Sequence, residues 1–402
     1  MPLPILTSAP GKVILFGEHA AVYGEPAIAA AVSSLRTYLL VSNANDPNII
    51  QLDFLDIKLT HQWECNDFST IPTIQPSTKE LDSTLLKSID PLLSSFKSNP
   101  LHHQAALTFL YLFFSLIPNL KGLKFSVRST LPVGAGLGSS ASICVSLSTA
   151  LLHLAKLISI PLNKAQLKLI NDWAFIGEKC MHGNPSGIDN TVATYGNSIL
   201  LNSQSHEIID IDLPILLTYT KIPRSTKQLV SNVRHMYNSH HAIVSKILSS
   251  IGHITLESKD LLLADASDID SLGELININQ HLLQSINVSH PMIEKIIKLT
   301  NQFQIGYTKL TGAGGGGCTL TLLKKDVDRK DVDRFINILK KDYNFDVFET
   351  NLGGFGTGVL ELDNKNKELD DRVKQCFEIK SLASREQLDQ ILLPLCNNTT
   401  LN

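Results

Sequence analysis

The segment Leu131-Pro132-Val133-Gly134-Ala135-Gly136-Leu137-Gly138-Ser139-Ser140-Ala141-Ser142 constrains this chain more than any other. Glycines at three alternate positions make neither a good strand nor a good helix, and each one permits positive φ. After Ser140 the residues become apolar and helix-compatible. The pattern predicts a backbone loop feeding the N-terminus of a helix. Free N–H groups and the positive end of a helix dipole meet there, so the site suits an anion, above all a phosphate. Ser139 and Ser140 add hydroxyls that could hold a metal ion on that phosphate. Two familiar phosphate loops do not fit. The string GxxxxGK[ST] is missing from the chain. A dinucleotide fingerprint needs GxGxxG and a following strand that ends in an acidic residue. Here the spacing is GxGxGSS, and the next helix leads to Ile160-Pro161-Leu162-Asn163. A purely steric turn would need one or two glycines.

The chain of 402 residues has room for two domains, and 43% hydrophobic content supplies two cores. A net charge of −3 gives no argument for nucleic acid or an acidic membrane surface. Cys65, Cys144, Cys180, Cys318, Cys376 and Cys396 form no CxxC pair, so reduced thiols are expected rather than disulfides or a zinc site. The first residues lack the basic region of a secretory signal, and the most apolar run, Ala105 to Ile117, is too short to span a bilayer. These features lead to an expectation of a cytoplasmic protein with no nucleic-acid or membrane partner.

Periodicity and breakers predict the following elements in order. Ile5 to Phe16 reads as a strand cut by Pro10-Gly11, and Ala27 to Ser33 reads as helix-like. Arg36–Ser42 and Ile49–Leu55 read as strands. Residues 64–100 read as a variable loop region with a short helix near Glu80 to Leu93. His102–Ile117 is helical, Leu123–Ser129 is a strand delivering the glycine loop, and Ser139–Ile158 is the next helix. Asn163 caps a helix reaching about Glu178, and Gly183-Asn184-Pro185-Ser186-Gly187 breaks it. Strands follow at Ser198–Leu201 and Ile215–Thr220. Beyond a boundary near 226, helices are expected at Lys227–Ser250, Ser258–Ser285 and His290–Phe303. Then come strands Tyr307–Leu310 and Cys318–Leu323 around a loop at 312–317. Helix Asp331–Tyr343 and strands Asp346–Asn351 and Val359–Leu362 complete the α+β second half. Residues 363–374 read as charged and solvated, before a last amphipathic helix, Arg385–Leu393.

Four further constellations could carry chemistry. Gly314 to Gly317 are consecutive glycines between two strands, so something approaches that backbone closely, or the loop is a floppy hairpin tip. Glu178 falls in the last turn of its helix, where the dipole disfavours a negative charge unless a cation sits on it, and Asp189 starts a helix that favours its charge. The two can hold different roles, one on a metal and one as base, or be ordinary helix-end charges. Lys12 sits between Gly11 and an apolar strand near Glu18 and His19. It either meets a carboxylate or snorkels from an edge. Arg224, in Pro223-Arg224-Ser225-Thr226, lies at the expected boundary, where it either pairs a carboxylate or phosphate or is a linker arginine.

Together these strings resemble the GHMP kinase superfamily. Pro10-Gly11-Lys12-Val13 with Gly17-Glu18-His19 is similar to its first motif, Pro132 to Ala141 to its second, and Lys309 to Cys318 to its third. Within it, the resemblance is closest to the mevalonate kinase family, fungal members above all. Gly17-Glu18-His19-Ala20-Ala21-Val22-Tyr23-Gly24, Gly177-Glu178-Lys179, the stretch from His182 to Asn190, and Thr220 to Thr226 carry it. A galactokinase would have a Gly-Glu-His-Thr-Asp type string in the first of these. Residues 64–100 match no motif.

The resemblance implies two domains. The first, residues 1–226, is expected to be like ribosomal protein S5 domain 2, and the second, residues 227–402, ferredoxin-like. The active site lies between them, and the last helix packs back on the first domain. It also implies ATP as phosphate donor, Mg²⁺ as cofactor and mevalonate as acceptor, phosphorylated on its C5 hydroxyl. Pro132, Gly134, Ala135, Gly136, Leu137, Gly138, Ser139 and Ser140 wrap the ATP phosphates, and Ser140 and Glu178 hold Mg²⁺. Asp189 faces the substrate hydroxyl with Lys12 beside it. Glu18, His19 and Arg224 line the mevalonate side, Thr226 supports the catalytic pair, and Gly314 and Gly315 belong to a loop closing over substrate. A homodimer and feedback inhibition by farnesyl or geranyl diphosphate at the ATP site are further implications. The competing readings are a GHMP kinase for phosphomevalonate or a sugar, a non-catalytic ligand sensor, and a dinucleotide-dependent oxidoreductase. A phosphorylated substrate calls for extra basic residues, and the motifs show none beyond Lys12 and Arg224. A sensor predicts damage to Lys12, Ser140, Glu178 or Asp189, and all are intact.

Overall fold

The computed structural model describes residues 3–72, 77–202, 206–265, 268–362, 367–378 and 384–397. The side chains of residues 265, 386, 396 and 397 lie outside this description, as do the parts of the 64–100 and 363–374 stretches at 73–76 and 363–366.

The chain begins with β1 (Ile5–Phe16), β2 (Ala27–Asn43), β3 (Ile49–Phe54) and β4 (Leu59–Glu64), then α1 (Ser83–Ile89) and α2 (Pro100–Leu116). β5 (Leu123–Ser129) leads through the glycine loop to α3 (Ser139–Leu154), α4 (Lys164–His182) and α5 (Ile188–Tyr195). β6 (Ser198–Leu201), β7 (His206–Ile209) and β8 (Asp212–Tyr219) follow. Helices α6 (Thr226–Ser239), α7 (His241–Asp265), α8 (Ile269–Ser285) and α9 (Pro291–Phe303) come next. The chain continues with β9 (Gly306–Leu310), β10 (Cys318–Leu323), α10 (Arg329–Asp342), β11 (Asp346–Gly353) and β12 (Gly358–Glu361), then α11 (Lys367–Gln375) and α12 (Arg385–Asn397). One mixed sheet runs β4-β3-β5-β2-β11-β8-β10-β9, with β1 between β2 and β12 and β6 between β2 and β7.

Several expectations are corrected. Ala27 to Ser33 is strand, not helix. Ala29 and Ala31 face one apolar cluster with Val192 and Ile199, while Ile28, Ala30 and Val32 face another. Burial on both faces erases the alternation that marks a strand, and alanine mimics a helix signal. Pro10-Gly11 does not cut β1. It makes a bulge, where Pro10 pairs Arg36 and Gly11 pairs Val32, and a bulge tolerates proline. The predicted helix Lys227–Ser250 is two helices meeting at His240, and Ser258 lies inside α7. β4 and β7 were not expected. Residues 367–375 are helical rather than a solvated stretch, with Val373 fully buried.

The bulge positions the site. A Cβ on Gly11 would stand 2.7 Å from the Leu137 carbonyl oxygen, and the Lys12 N–H donates to that oxygen at 2.8 Å. The glycine loop thus lies directly against β1 at Lys12. Helix α3 is held to the sheet by small hydroxyl residues spaced along one face. Ser142 Oγ donates to Ala9 O at 2.6 Å, Ser146 Oγ to Thr37 O at 3.3 Å, and Thr149 Oγ1 lies 2.8 Å from Thr357 Oγ1. Behind it, α2, α3 and α4 share a core with β3, β4 and β5 that includes Phe109, Phe113, Phe125 and Trp173. A second core joins β8, β10 and α8. Helices α11 and α12 close over β1 and β2, burying Leu388 and Leu392 with Leu6, Tyr38 and Leu40.

Candidate active site

The three loop glycines meet three different surroundings. All have positive φ: 76° at Gly134, 82° at Gly136 and 72° at Gly138. Space beside Gly134 is open. A Cβ on Gly136 would overlap Arg224 Nη2. A Cβ on Gly138 would stand 3.0 Å from Lys12 Cγ and 3.6 Å from Asp189 Oδ2. Gly138 also caps α3 without a side chain, so the first turn of α3, from Ser139, presents unmasked N–H groups. Phosphate binding at such a terminus follows from the free donors and the dipole.

Lys12 and Asp189 form an ion pair, Nζ to Oδ1 3.2 Å. Lys12 is 8% exposed, and Asp189 sits in the first turn of α5 behind the Gly183–Gly187 break. Helix α4 starts at a capping box between Asn163 and Gln166 and runs on to His182. Glu178 is therefore buried within α4 rather than at its frayed end. Burial pushes its carboxyl up to about 7, helped by the nearby charge of Asp189 and opposed by hydrogen bonds from Ser140 and Cys144. Ser140 Oγ also lies 3.1 Å from His182 Nε2.

The Glu18 carboxylate is buried. It makes a fully buried ion pair with Lys309 and accepts from Asn279 Nδ2 at 3.2 Å. Burial raises the Glu18 carboxyl and lowers the Lys309 ammonium, each partly offset by the other. His19 has a φ of 60° and its Nε2 lies 2.9 Å from Ala313 O, in the second glycine loop. Burial holds its imidazole below the ordinary value. A cavity of about 140 Å³ opens here, lined by Ile14, His19, Ile188, Thr226, Gly312 and Ala313 and bordered by Glu18. Thr226 lines it but makes no hydrogen bond to Lys12 or Asp189 among the described residues. Arg224 points to carbonyl oxygens of the two glycine loops. Gly315 N donates to Val288 O at 2.8 Å, and Gly314 packs on the same carbonyl, so both hold the second loop down.

Sequence reasoning assigned no role to Lys309, Asn279, Cys144 or His182. The signal for Lys309 was present: a lysine in an apolar strand needs a buried carboxylate, and Glu18 was already singled out. Among the described residues no group of three or more His, Cys, Asp or Glu side chains could hold a metal by itself. Ser140 with Glu178 is a smaller donor set.

Fold and site together define a small-molecule kinase of the GHMP type. Residues 102–197 match the GHMP kinases N terminal domain, and residues 259–343 match GHMP kinases C terminal. The chain is 46% identical to mevalonate kinase of Saccharomyces cerevisiae, covering 100% of this chain and 99% of that protein. It is 42% identical to mevalonate kinase of Candida albicans, over 92% of each chain. The crystal structure of L. major mevalonate kinase in complex with R-mevalonate superposes with a TM-score of 0.66 at 25% identity, covering 88% of this chain and 98% of that one. The chain belongs to the mevalonate kinase family.

Proposed function

We propose that this protein transfers the γ-phosphoryl group of ATP to the C5 hydroxyl of (R)-mevalonate, giving 5-phosphomevalonate for isoprenoid and sterol synthesis. The observation that carries the chemistry is the Lys12–Asp189 pair at the mouth of a glycine loop and helix N-terminus. The relatives supply the choice of acceptor.

Phosphoryl transfer passes through a loose transition state, so positioning and charge neutralisation dominate. The N–H groups at the start of α3 and the open face of the loop at Gly134 receive the triphosphate. Asp189 orients the acceptor hydroxyl and takes its proton as the bond from that oxygen to the γ-phosphorus forms and the bond from the γ-phosphorus to the bridging oxygen breaks, releasing ADP. The Lys12 ammonium stays beside Asp189 and offsets charge on the transferring group. The cavity lined by His19, Ile188 and Thr226 receives the body of the acceptor. Magnesium fits the residues present. A buried carboxylate raised by burial and a neighbouring carboxylate, with a serine hydroxyl against it, is an environment that a divalent cation relieves. Ser140 and Glu178 would hold it, and it would neutralise β- and γ-phosphate charge. Gly314, Gly315 and Arg224 fix the loop over the acceptor.

We further propose the division at about residue 226, a homodimer, competition by farnesyl or geranyl diphosphate at the nucleotide site, and a cytoplasmic location. Among the described residues no helix is long and apolar enough to cross a membrane.

A coupled ADP-release assay with mevalonate, phosphomevalonate and galactose tests the main reading. Turnover with mevalonate alone is expected. Turnover with galactose or phosphomevalonate, and none with mevalonate, would reject it.

A further inference from the structure

Arg224 stands between the two glycine loops. Its Nη2 donates to Ala135 O at 3.0 Å in the first loop. Its Nη1 donates to Gly314 O at 3.3 Å and lies 3.5 Å from Gly316 O in the second. Both loops have given up a Cβ to admit it, because a Cβ on Gly136 or on Gly317 would overlap the guanidinium. Among the described residues no carboxylate pairs with Arg224. Its partners are backbone carbonyls, and burial lowers its pKa from the ordinary value. The backbone beside it is pinned, since Ser225 caps α6 by accepting from Gln228 N at 3.2 Å.

This geometry separates the faces of the first loop. Gly134 opens to space, Gly138 meets Lys12 and Asp189, and Gly136 meets Arg224. The loop's shape at Gly136 is therefore set by a side chain that is equally engaged with residues 314–317. Only a planar fork can do this. A lysine ammonium has no two donor arms at fixed separation to reach two loops at once.

We propose that Arg224 is a positioning residue that clamps the 132–140 loop to the 312–317 loop, so that nucleotide affinity depends on the second loop. This rests on the reading of the first loop as the nucleotide site. It predicts an effect that a residue merely holding the acceptor carboxylate would not have. Loss of Arg224 weakens nucleotide binding even when no acceptor is present.

The test is calorimetric titration of Mg²⁺-ADP into the full chain without mevalonate. The proteins are wild type, Arg224→Ala, Arg224→Lys, Gly317→Ala and the Arg224→Ala/Gly317→Ala double variant, each checked by thermal melting. Both Arg224 variants should raise the ADP Kd about tenfold, or 1.4 kcal/mol. The lysine, despite its charge, should rescue little. Gly317→Ala, in the other loop, should also weaken ADP, and the double variant should lose less than the sum of the two single losses, because part of the Gly317→Ala effect is the overlap with the guanidinium. If Gly317→Ala does not fold, the two Arg224 variants decide alone. An unchanged ADP Kd in both, with KM for mevalonate raised, would overturn the clamp and leave Arg224 as an acceptor ligand. Additive losses in the double variant would also overturn it. Failure of the wild type to bind ADP would reject the nucleotide reading of the first loop, and the clamp with it.

Discussion

Lys12 Nζ and Asp189 Oδ1 lie 3.2 Å apart and both face the side of Gly138 where a Cβ would stand, so the missing side chain lets the pair close against the glycine loop. The bulge at Pro10-Gly11 brings Lys12 to the loop, and the glycine-rich break after α4 starts the helix that carries Asp189. Asp189→Asn keeps the shape but removes the proposed proton acceptor. General-base removal costs about 10²–10⁴-fold in rate. We expect kcat to fall in that range while the ADP Kd, measured by calorimetry, stays within about twofold. Near-normal turnover would remove Asp189 from the chemistry.

Glu178 makes the metal-free protein sensitive to pH. Its folded pKa of about 7 lies above the ordinary value of 4.5. The folded state binds the proton more tightly than the unfolded state. Its favourable contribution is therefore complete below about pH 4.5 and is lost as pH rises through about 7. The loss is on the order of 3 kcal/mol, at 1.36 kcal/mol per pH unit. Urea unfolding of the metal-free protein at pH 5 and pH 8 should show Glu178→Gln gaining stability over wild type only at the higher pH. A Gln variant with the same pH dependence as wild type would show that Glu178 is not the group responsible. Activity should run the other way, because the metal binding proposed at Glu178 needs the carboxylate ionised and would weaken below pH 7.

Much of this site could be read from residues alone, and the reason is local. Gly134, Gly136 and Gly138 declare a backbone device, and Asn163 with Gln166 declares a helix start. The legible features depend on near neighbours in the chain. The illegible ones depend on distant partners. Ala27 to Ser33 reads as helix-like because its strand character resides in α5, β1 and β6 packed around it. The resemblance points Glu18 toward a ligand, yet Lys309 and Asn279, far along the chain, pair with its carboxylate. Arg224 reads as a partner for a carboxylate or phosphate, or as a linker arginine, and meets carbonyls. The charged residues of α11 hid Val373, Cys376 and Phe377, whose cover is β1 and β2.

The Glu18–Lys309 pair should be costly to break and cheap to replace. Removing one member of a buried pair leaves an unpaired charge and costs about 3–5 kcal/mol. Lys309→Met alone should therefore destabilise in that range by urea unfolding. Glu18→Gln with Lys309→Met together should recover most of the loss. Equal losses in the single and double variants would show that the pair is not coupled. Because His19 follows Glu18 directly, both proteins should also show a raised KM for mevalonate with a smaller change in kcat.

The C-terminal helix should stabilise the sheet that carries the site. Leu388 and Leu392 are one turn apart on α12 and are buried against Leu6, Tyr38 and Leu40. Leu392 is fully buried, so Leu392→Ala removes a packed side chain and leaves a cavity, at about 2–5 kcal/mol. Leu6 lies on β1, the strand that bears Lys12 on the other side of the bulge. The bulge interrupts the register between them, so slack at Leu6 is absorbed before it reaches the ion pair. We expect the urea midpoint to fall while kcat per folded molecule changes less than about twofold at 25 °C. A large loss of kcat at full folding would mean that α12 positions Lys12 directly.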